Sequence, residues 1–419
     1  MKITQPPLQS LDDVLAGLLA TAQVLHGAEQ VSTFDADNRV LAEDVISPLQ
    51  VPPHDNSAMD GYAVYCADVL VAGTVLPVTQ RIAAGASGSA LVRGSAARIF
   101  TGAPIPAGSD AVVMQEDCEA VSPGVASAGE LPLPTVRLRT VPRLGQSIRR
   151  AGEDVAMGAV VLRRGQRLAP AALGLAASVG KRELMVARRP RVALFSTGDE
   201  LVMPGEVAPH DMKPGAIYNS NRFFQCALLA RLGCVVTDMG IVPDQLAATT
   251  TALREVSQSH DLVLTCGGVS VGEEDHVKPA VMALGQLDLW QIAIKPGKPF
   301  AYGRIGSAHF IGLPGNPVSS FVTFLLLVRP FLLRLQGVPD VTPDVTPMRA
   351  DFAWPKADHR REFLRVRRNA TGGLDLFPNQ SSGVLTSMVW GDGLVDNPAG
   401  STIATGDVVR FLPFSALLS

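Results

Sequence analysis

The chain has 419 residues, is 47% hydrophobic and carries a formal net charge of −3. Its length predicts about two to four domains. A charge so near neutrality excludes the basic stripe of a nucleic-acid binder, though local lysines can still meet small anions. The five cysteines, an odd number with no CxxC pair, exclude a disulfide framework or zinc knuckle and predict reduced thiols in the cytoplasm.

Met1–Ser10 lacks a charged segment followed by an apolar one, so no secretory leader is expected. Ser10 and Asp13 resemble a capping box ahead of Leu11, Val14, Leu15, Leu18, Leu19 and Ala22, which keep helical spacing. Residues 50–147 are rich in Pro and Gly and carry short runs such as Arg98–Thr101 and Ala111–Met114, which predict an inserted β-rich domain. The flanking stretches 1–49 and 148–188 are expected to form one discontinuous helical linker domain, with an Ala-rich helix near Leu173–Val179.

Residues 189–338 change texture. Strands are expected at Arg191–Phe195, from Val235, and at Asp261–Thr265, Leu289–Ile294 and His309–Leu313. Helices are expected at Asn219–Gly233, Asp244–Gln258, Asp275–Leu284 and Pro317–Leu335. This alternation implies a doubly wound, parallel α/β sheet. The apolar run Val318–Val328 stops at Arg329-Pro330, short of the ~20 residues that a bilayer requires. It reads as a core helix, kinked or stopped near Pro330, with no membrane contact. Prolines 339, 343 and 347 mark a linker, and residues 339–419 predict a small C-terminal β-barrel.

Three polar motifs each follow a predicted strand: Ser196-Thr197-Gly198-Asp199-Glu200, Gly267-Gly268-Val269-Ser270-Val271-Gly272 and Leu313-Pro314-Gly315-Asn316-Pro317-Val318-Ser319. Ligands of open parallel sheets bind beyond the carboxyl ends of strands, so the three are expected to converge on one crevice. The second motif matches neither usual nucleotide pattern. Its strand, glycine turn, hydroxyl and acids suit a phosphate with Mg²⁺. Lys295 and Lys298 lie in Ile294-Lys295-Pro296-Gly297-Lys298-Pro299, whose stiffness lowers the entropy lost on meeting an anion. Asp244, Asp275 and Glu200 are the first choices for Mg²⁺ ligands, although acids at such positions also cap helices. Asp55–Ala63, Arg98–Pro104 and Ile148–Asp154 of the inserted region are dense in small polar groups that suit either turns or a cleft.

Taken together, Asp55–Ala63, Thr101–Pro104, Arg150–Asp154, Phe195–Glu200, Gly267–Gly272, Ala293–Pro299 and Leu313–Ser319 resemble, in order, the molybdopterin molybdenumtransferase family, to which a domain of gephyrin is related. The resemblance implies that adenylylated molybdopterin and molybdate react, with Mg²⁺, to give molybdenum cofactor and AMP. It implies an elongated homodimer in which the partner's inserted domain completes the cleft. Possible further partners are a molybdopterin adenylyltransferase and recipient molybdoenzymes. It places Asp60, Thr101 and Asp154 in the functional cleft. Lys295 and Lys298 would attract molybdate, and Arg365 and Ser382 would touch it. The chain departs from the family pattern at Cys266, at Asn219 and at Gln380-Ser381-Ser382-Gly383. An adenylyltransferase on the same α/β domain and a non-catalytic scaffold are the competing readings.

Overall fold

The computed structural model describes residues 8–121, 133–268 and 276–418. At its centre is a six-stranded sheet in the order Val235–Ile241, Arg191–Ser196, Leu262–Cys266, Ala308–Leu313, Pro299–Ile305, Gly285–Gln291. The first four strands run parallel, and Pro299–Ile305 runs antiparallel to both of its neighbours, Ala308–Leu313 and Gly285–Gln291. Both faces are covered. Val192, Leu194, Leu262, Leu264 and Ile311 bury toward the helices Ser220–Arg231 and Pro317–Leu335. Ala193, Phe195, Val263 and Phe310 bury toward Leu246–Val256 and Val277–Leu284. This two-sided burial explains why the strands read as unbroken apolar runs.

The strand Pro299–Ile305 is absent from the sequence reading. It forms a hairpin with Ala308–Leu313 across Gly306-Ser307, with Gly306 at φ 59°. A glycine at the first turn position of a two-residue loop is a hairpin signal.

The helix Pro317–Leu335 does not stop at Pro330. It runs as α-helix to Thr323, widens to a π-helical stretch over Phe324–Val328, and resumes at Arg329. The wider turn accommodates a proline that has no N–H to give and crowds the preceding turn. The helix is long and apolar enough to span a bilayer by composition, but almost all of it is buried inside the protein.

The opening helix Leu11–Thr21 is capped by Ser10, whose hydroxyl accepts from the Asp13 amide at 3.1 Å. Its apolar stripe, Leu11, Val14 and Leu18, packs into the core shared with the long helix, and not against residues 28–49. Those residues, and Asn56–Ser57 at the start of the inserted region, pair with the stretch after the inserted domain through short antiparallel ribbons: Ala28–Ser32 with Glu183–Ala187, Val45–Ile46 with Val160–Leu162, and Asn56–Ser57 with Ile148–Arg149. The expected helical character is limited to Pro170–Ser178. The inserted domain is a six-stranded sheet of Gly61–Val64, Val75–Ile82, Ala96–Ile99, Ala111–Met114, Cys118–Val121 and Thr135–Leu138.

The C-terminal sheet takes its edge strand from the α/β region. Ile294–Lys295 pairs parallel with Arg361–Glu362, and Gly393–Asn397, Val408–Pro413 and Thr346–Arg349 follow. The two regions are therefore hydrogen-bonded into one sheet.

His309, at the start of the strand Ala308–Leu313, is buried against the long helix. Its Nδ1 meets the Tyr302 hydroxyl at 2.8 Å, and its ring stands edge-on to Phe331. Burial pushes its pKa down to about 4. The folded state therefore holds a neutral imidazole where the unfolded chain takes up a proton near pH 6.5. Stability from this group is complete above pH 6.5 and falls as the pH drops toward 4, by about 3 kcal/mol in all. Denaturant unfolding across this window should show a flatter pH dependence for His309→Gln than for the parent; parallel curves would contradict the linkage.

Candidate functional site

Register builds the site. Ser196 is level with Cys266, and Cys266 with Leu313, so three adjacent parallel strands end at one height and release their polar motifs together. Beyond them lies a cleft of about 630 Å³. Ser196, Thr197 and Glu200 form one wall, Cys266, Gly267 and Gly268 the floor, and Pro314, Gly315, Asn316, Pro317 and Ser319 another wall. Tyr218, Asn219, Ser220 and Asn221 border it, and Gly383 reaches it from the C-terminal barrel.

Two helices begin at this rim. Asn219 caps Ser220–Arg231, its side-chain oxygen accepting from the Arg222 amide, and Asn316 precedes the long helix with Pro317 at the first helical position. Both helix starts direct amides toward the cleft region, a favourable setting for an anion. Gly267 and Gly268 have φ of 90° and 67°. A Cβ on Gly268 would lie 2.4 Å from Val277 Cγ2 and 3.0 Å from Thr197 Cγ2, so the turn needs glycine on steric grounds as well.

The cleft residues hold unspent hydrogen-bonding capacity. Ser196 Oγ, Thr197 Oγ1, Asn219 Nδ2 and Asn221 Oδ1 are buried without a partner among the described residues. Buried polar groups are ordinarily satisfied, and four orphans around one cleft point to a polar ligand. Asn221 Nδ2 donates to the Gly315 carbonyl at 2.6 Å and to Cys266 Sγ at 3.0 Å. The Cys266 thiol itself lies 3.5 Å from the Pro314 carbonyl, and burial pushes its pKa up. The cysteine is thus a neutral packing group under the turn.

Of the expected metal ligands, Glu200 lines the cleft, its carboxylate filling the space a Cβ on Gly198 would take. Asp244 lies just past the end of the neighbouring strand Val235–Ile241 and does not line the cleft, and Asp199 is exposed beside Glu200. Ser270, Gly272 and Asp275 lie outside the described residues. Among the described residues no three metal-type side chains gather.

Arg365 is fully buried in the barrel with no carboxylate partner among the described residues. Its guanidinium donates to the Phe363 and Ser381 carbonyls and to Ser387 Oγ, each at 3.2 Å. Burial pushes its pKa down to about 10. The Ser382 carbonyl accepts from the Val318 amide at 3.0 Å, pinning the barrel loop to the start of the long helix. Lys298 precedes Pro299 at the cleft edge and has no side-chain partner among the described residues. Lys295 is placed differently from its neighbour. Its ammonium lies 3.0 Å from Glu362 and 3.2 Å from Asp358, and it does not line the cleft.

The inserted domain forms a second cluster apart from this cleft. Asp60 Oδ1 accepts from the Thr101 amide and hydroxyl, both at 2.8 Å. The Thr101 amide, then its hydroxyl, holds the Asp60 carboxyl below the usual range. Asp55 accepts from the Ala151 amide at 2.8 Å and pairs with Arg150 at 2.6 Å, and Asp154 is exposed nearby in sequence. The three motifs read from this region thus meet, but on a surface of their own. Asn316 of the lining is an expected site residue, whereas Asn219 enters the sequence analysis only as a departure from the family pattern and Asn221 is a site residue that only the structure reveals. A polar Asn-Ser-Asn directly opening a helix was the available signal.

Residues 9–180 match a family model described as the MoeA N-terminal region (domain I and II). Residues 193–334 match a probable molybdopterin binding domain, and residues 347–414 the MoeA C-terminal region (domain IV). A molybdopterin molybdenumtransferase of Haemophilus influenzae is 38% identical over 98% of this chain and 99% of its own length. The chain belongs to the molybdopterin molybdenumtransferase family. A member from Synechococcus elongatus is 37% identical over 94% of this chain and 96% of its own length. A structure of the molybdopterin biosynthesis MoeA protein of Pyrococcus horikoshii, 30% identical, superposes with a TM-score of 0.74 over 97% of this chain and 99% of that one. A second structure of that protein reaches 0.82 at 26% identity, over 97% and 100%.

Gly268→Ala should cost about 1–3 kcal/mol in denaturant unfolding through backbone strain and the clash with Val277. A variant as stable as the parent would show that the turn tolerates a side chain.

Proposed function

We propose that this protein transfers molybdenum from molybdate to adenylylated molybdopterin, releasing AMP and forming molybdenum cofactor, in the cytoplasm. The observation that carries this reading is the single cleft in which three strand-end motifs, two helix starts and four orphaned polar groups meet a loop from the barrel. A pterin offers donors and acceptors to match those orphans, and a phosphoanhydride suits the helix starts. The names of the relatives agree with it.

Ser196, Thr197, Asn219, Asn221 and Ser319, with the backbone of Gly267, Gly268, Pro314, Gly315 and Asn316, hold the substrate in this proposal. Gly198 and Asp199 shape the turn that presents Glu200, and Ser270 and Gly272 extend the glycine turn. Mg²⁺ takes one or two carboxylates and fills its remaining positions with water and substrate phosphate, so Glu200 fits its donor chemistry, with Asp244 and Asp275 as the further candidates. Bound there, Mg²⁺ would neutralise charge on the phosphoanhydride. Water adds to phosphorus, the P–O bond breaks, and AMP leaves. Lys298, the barrel loop with Ser382, and Arg365 behind it supply a positive field for molybdate; as the two dithiolene sulfurs bond to molybdenum, their two thiol protons leave with one molybdate oxygen as water.

Asp60, Thr101 and Asp154 belong to this reaction through a homodimer, in which the partner's inserted domain faces the cleft. The exposure of Thr101 and Asp154, with Asp60 half-buried beside Thr101, on a surface apart from the chain's own cleft supports that arrangement.

The test is AMP release from adenylylated molybdopterin on adding molybdate and Mg²⁺. Release is expected, and chelation of Mg²⁺ should abolish it. Formation of adenylylated molybdopterin from ATP would instead favour the adenylyltransferase reading, and no turnover with retained peptide binding would favour a scaffold. Lys298→Ala should raise the molybdate requirement about tenfold or more, corresponding to at least ~1.4 kcal/mol of lost anion binding. An unchanged requirement would remove Lys298 from the site.

A further inference from the structure

Two asparagines of the cleft have amides of fixed polarity. An asparagine side chain offers donors at one terminus and an acceptor at the other, and its partners decide which way it points. Asn221 Nδ2 is spent on the Gly315 carbonyl at 2.6 Å and on Cys266 Sγ at 3.0 Å. Reversing the amide would set its oxygen against the Gly315 carbonyl oxygen, so Oδ1 is the terminus left over. It has no partner among the described residues, in a residue only 8% exposed. Asn219 is the reverse case. Its Oδ1 caps the helix Ser220–Arg231 by accepting from the Arg222 amide at 3.3 Å. Its Nδ2 is the orphan, in a residue 2% exposed. Two positions apart at one helix start, the chain thus holds one unspent donor and one unspent acceptor.

The same part of the chain brings apolar surface to the cleft. Leu201 pairs with Ile217, and Val202 with Tyr218, in a short parallel ribbon that leads into this helix. Leu201, Ile217 and Tyr218 line the cleft with the two asparagines, and Ile217 is 54% exposed. The Tyr218 hydroxyl donates to the Val207 carbonyl at 2.7 Å, which holds its ring in place. Open apolar side chains beside a few oriented polar groups suit a flat ring. A deprotonated phosphate or molybdate oxygen carries no proton for Asn221 Oδ1 and would be repelled by it. A ring N–H next to a carbonyl satisfies both asparagines.

We propose that Asn219 and Asn221 are specificity-determining residues that read the lactam edge of the pterin: Asn221 Oδ1 accepts from the ring N–H, and Asn219 Nδ2 donates to the adjoining oxo group. This rests on the pterin substrate proposed above. The adenine of the substrate also carries a donor beside an acceptor, but its amino edge holds only that pair. The pterin edge runs on to a 2-amino donor, which the orphaned Ser196 and Thr197 hydroxyl oxygens can accept.

The test pairs a change in the ligand with a change in the residue. 6-Hydroxymethylpterin and its 3-methyl derivative, in which the ring N–H becomes N–CH3, are titrated into the full-length protein and followed by pterin fluorescence. The parent should bind the methylated ring about tenfold or more weakly, because a site built to accept an N–H rejects the analogue without one. In Asn221→Ala the unmethylated pterin should bind about tenfold more weakly, and the preference should collapse to within about twofold. Asn219→Ser keeps a capping oxygen and removes the amide donor. It should weaken both pterins alike, by about threefold or more, with the preference retained, since both keep the oxo group. AMP, titrated in parallel, should keep its parent affinity within about twofold in each variant, and thermal unfolding checks the fold. Should Asn221→Ala not fold, the parent's preference and Asn219→Ser still decide. A parent that binds both pterins equally or not at all overturns the proposal, as does a folded Asn221→Ala that keeps the preference or an Asn219→Ser with parent affinity. Lost AMP affinity with pterin affinity intact also overturns it and gives the pair to adenine. A parent that shows the preference yet releases no AMP from adenylylated molybdopterin overturns the functional reading instead.

Discussion

The shared register of Arg191–Ser196, Leu262–Cys266 and Ala308–Leu313 is the constraint on which the cleft depends. These strands are buried on both faces, so a slip of one residue would exchange the two sets of core side chains between the helix layers. Large side chains such as Phe195 and Phe310 on one face, and Leu194 and Ile311 on the other, make that exchange costly. Core packing therefore fixes the height at which each strand ends, and the motifs emerge side by side because the core allows no other alignment.

The second constraint is the sheet shared between domains. A barrel joined to the α/β region by a linker alone would sit in many orientations. The pairing of Ile294–Lys295 with Arg361–Glu362, and the Ser382 contact with Val318, removes that freedom. It sets the buried Arg365 guanidinium, which has no carboxylate partner among the described residues, against the Ser381 carbonyl of the barrel loop. An arginine without a counter-ion is expensive to bury, and here its cost is offset by three hydrogen bonds to Phe363, Ser381 and Ser387.

Several elements were legible in the chain itself. The Ser10 cap, the helix opening at Ser220 and the apolar strand Leu262–Cys266 follow from local spacing and capping chemistry. Other features were not. Pro330 reads as a helix break, yet long-range burial of Phe331, Leu332 and Leu335 keeps the helix going through a π-turn. The stripe on Leu11–Thr21 predicts a buried face and says nothing of which neighbour buries it. Glu362 carries no local signal, since a single acid within a strand looks like any solvated charge.

The residues alone determined which backbone turns are sterically possible, where hydroxyls, amides and charges follow strands, and the family to which that order belongs. Those properties depend on neighbours a few positions away, and the chain states them directly. Tertiary structure alone decided that Lys295 is neutralised while Lys298 has no such partner among the described residues, that Cys266 is a packing group, and that Asp60 and Thr101 form a cluster apart from the cleft. Pairing and desolvation depend on groups brought together from 41 to 67 positions apart, as in the Asp60–Thr101 and Lys295–Glu362 contacts, and no local pattern encodes that proximity.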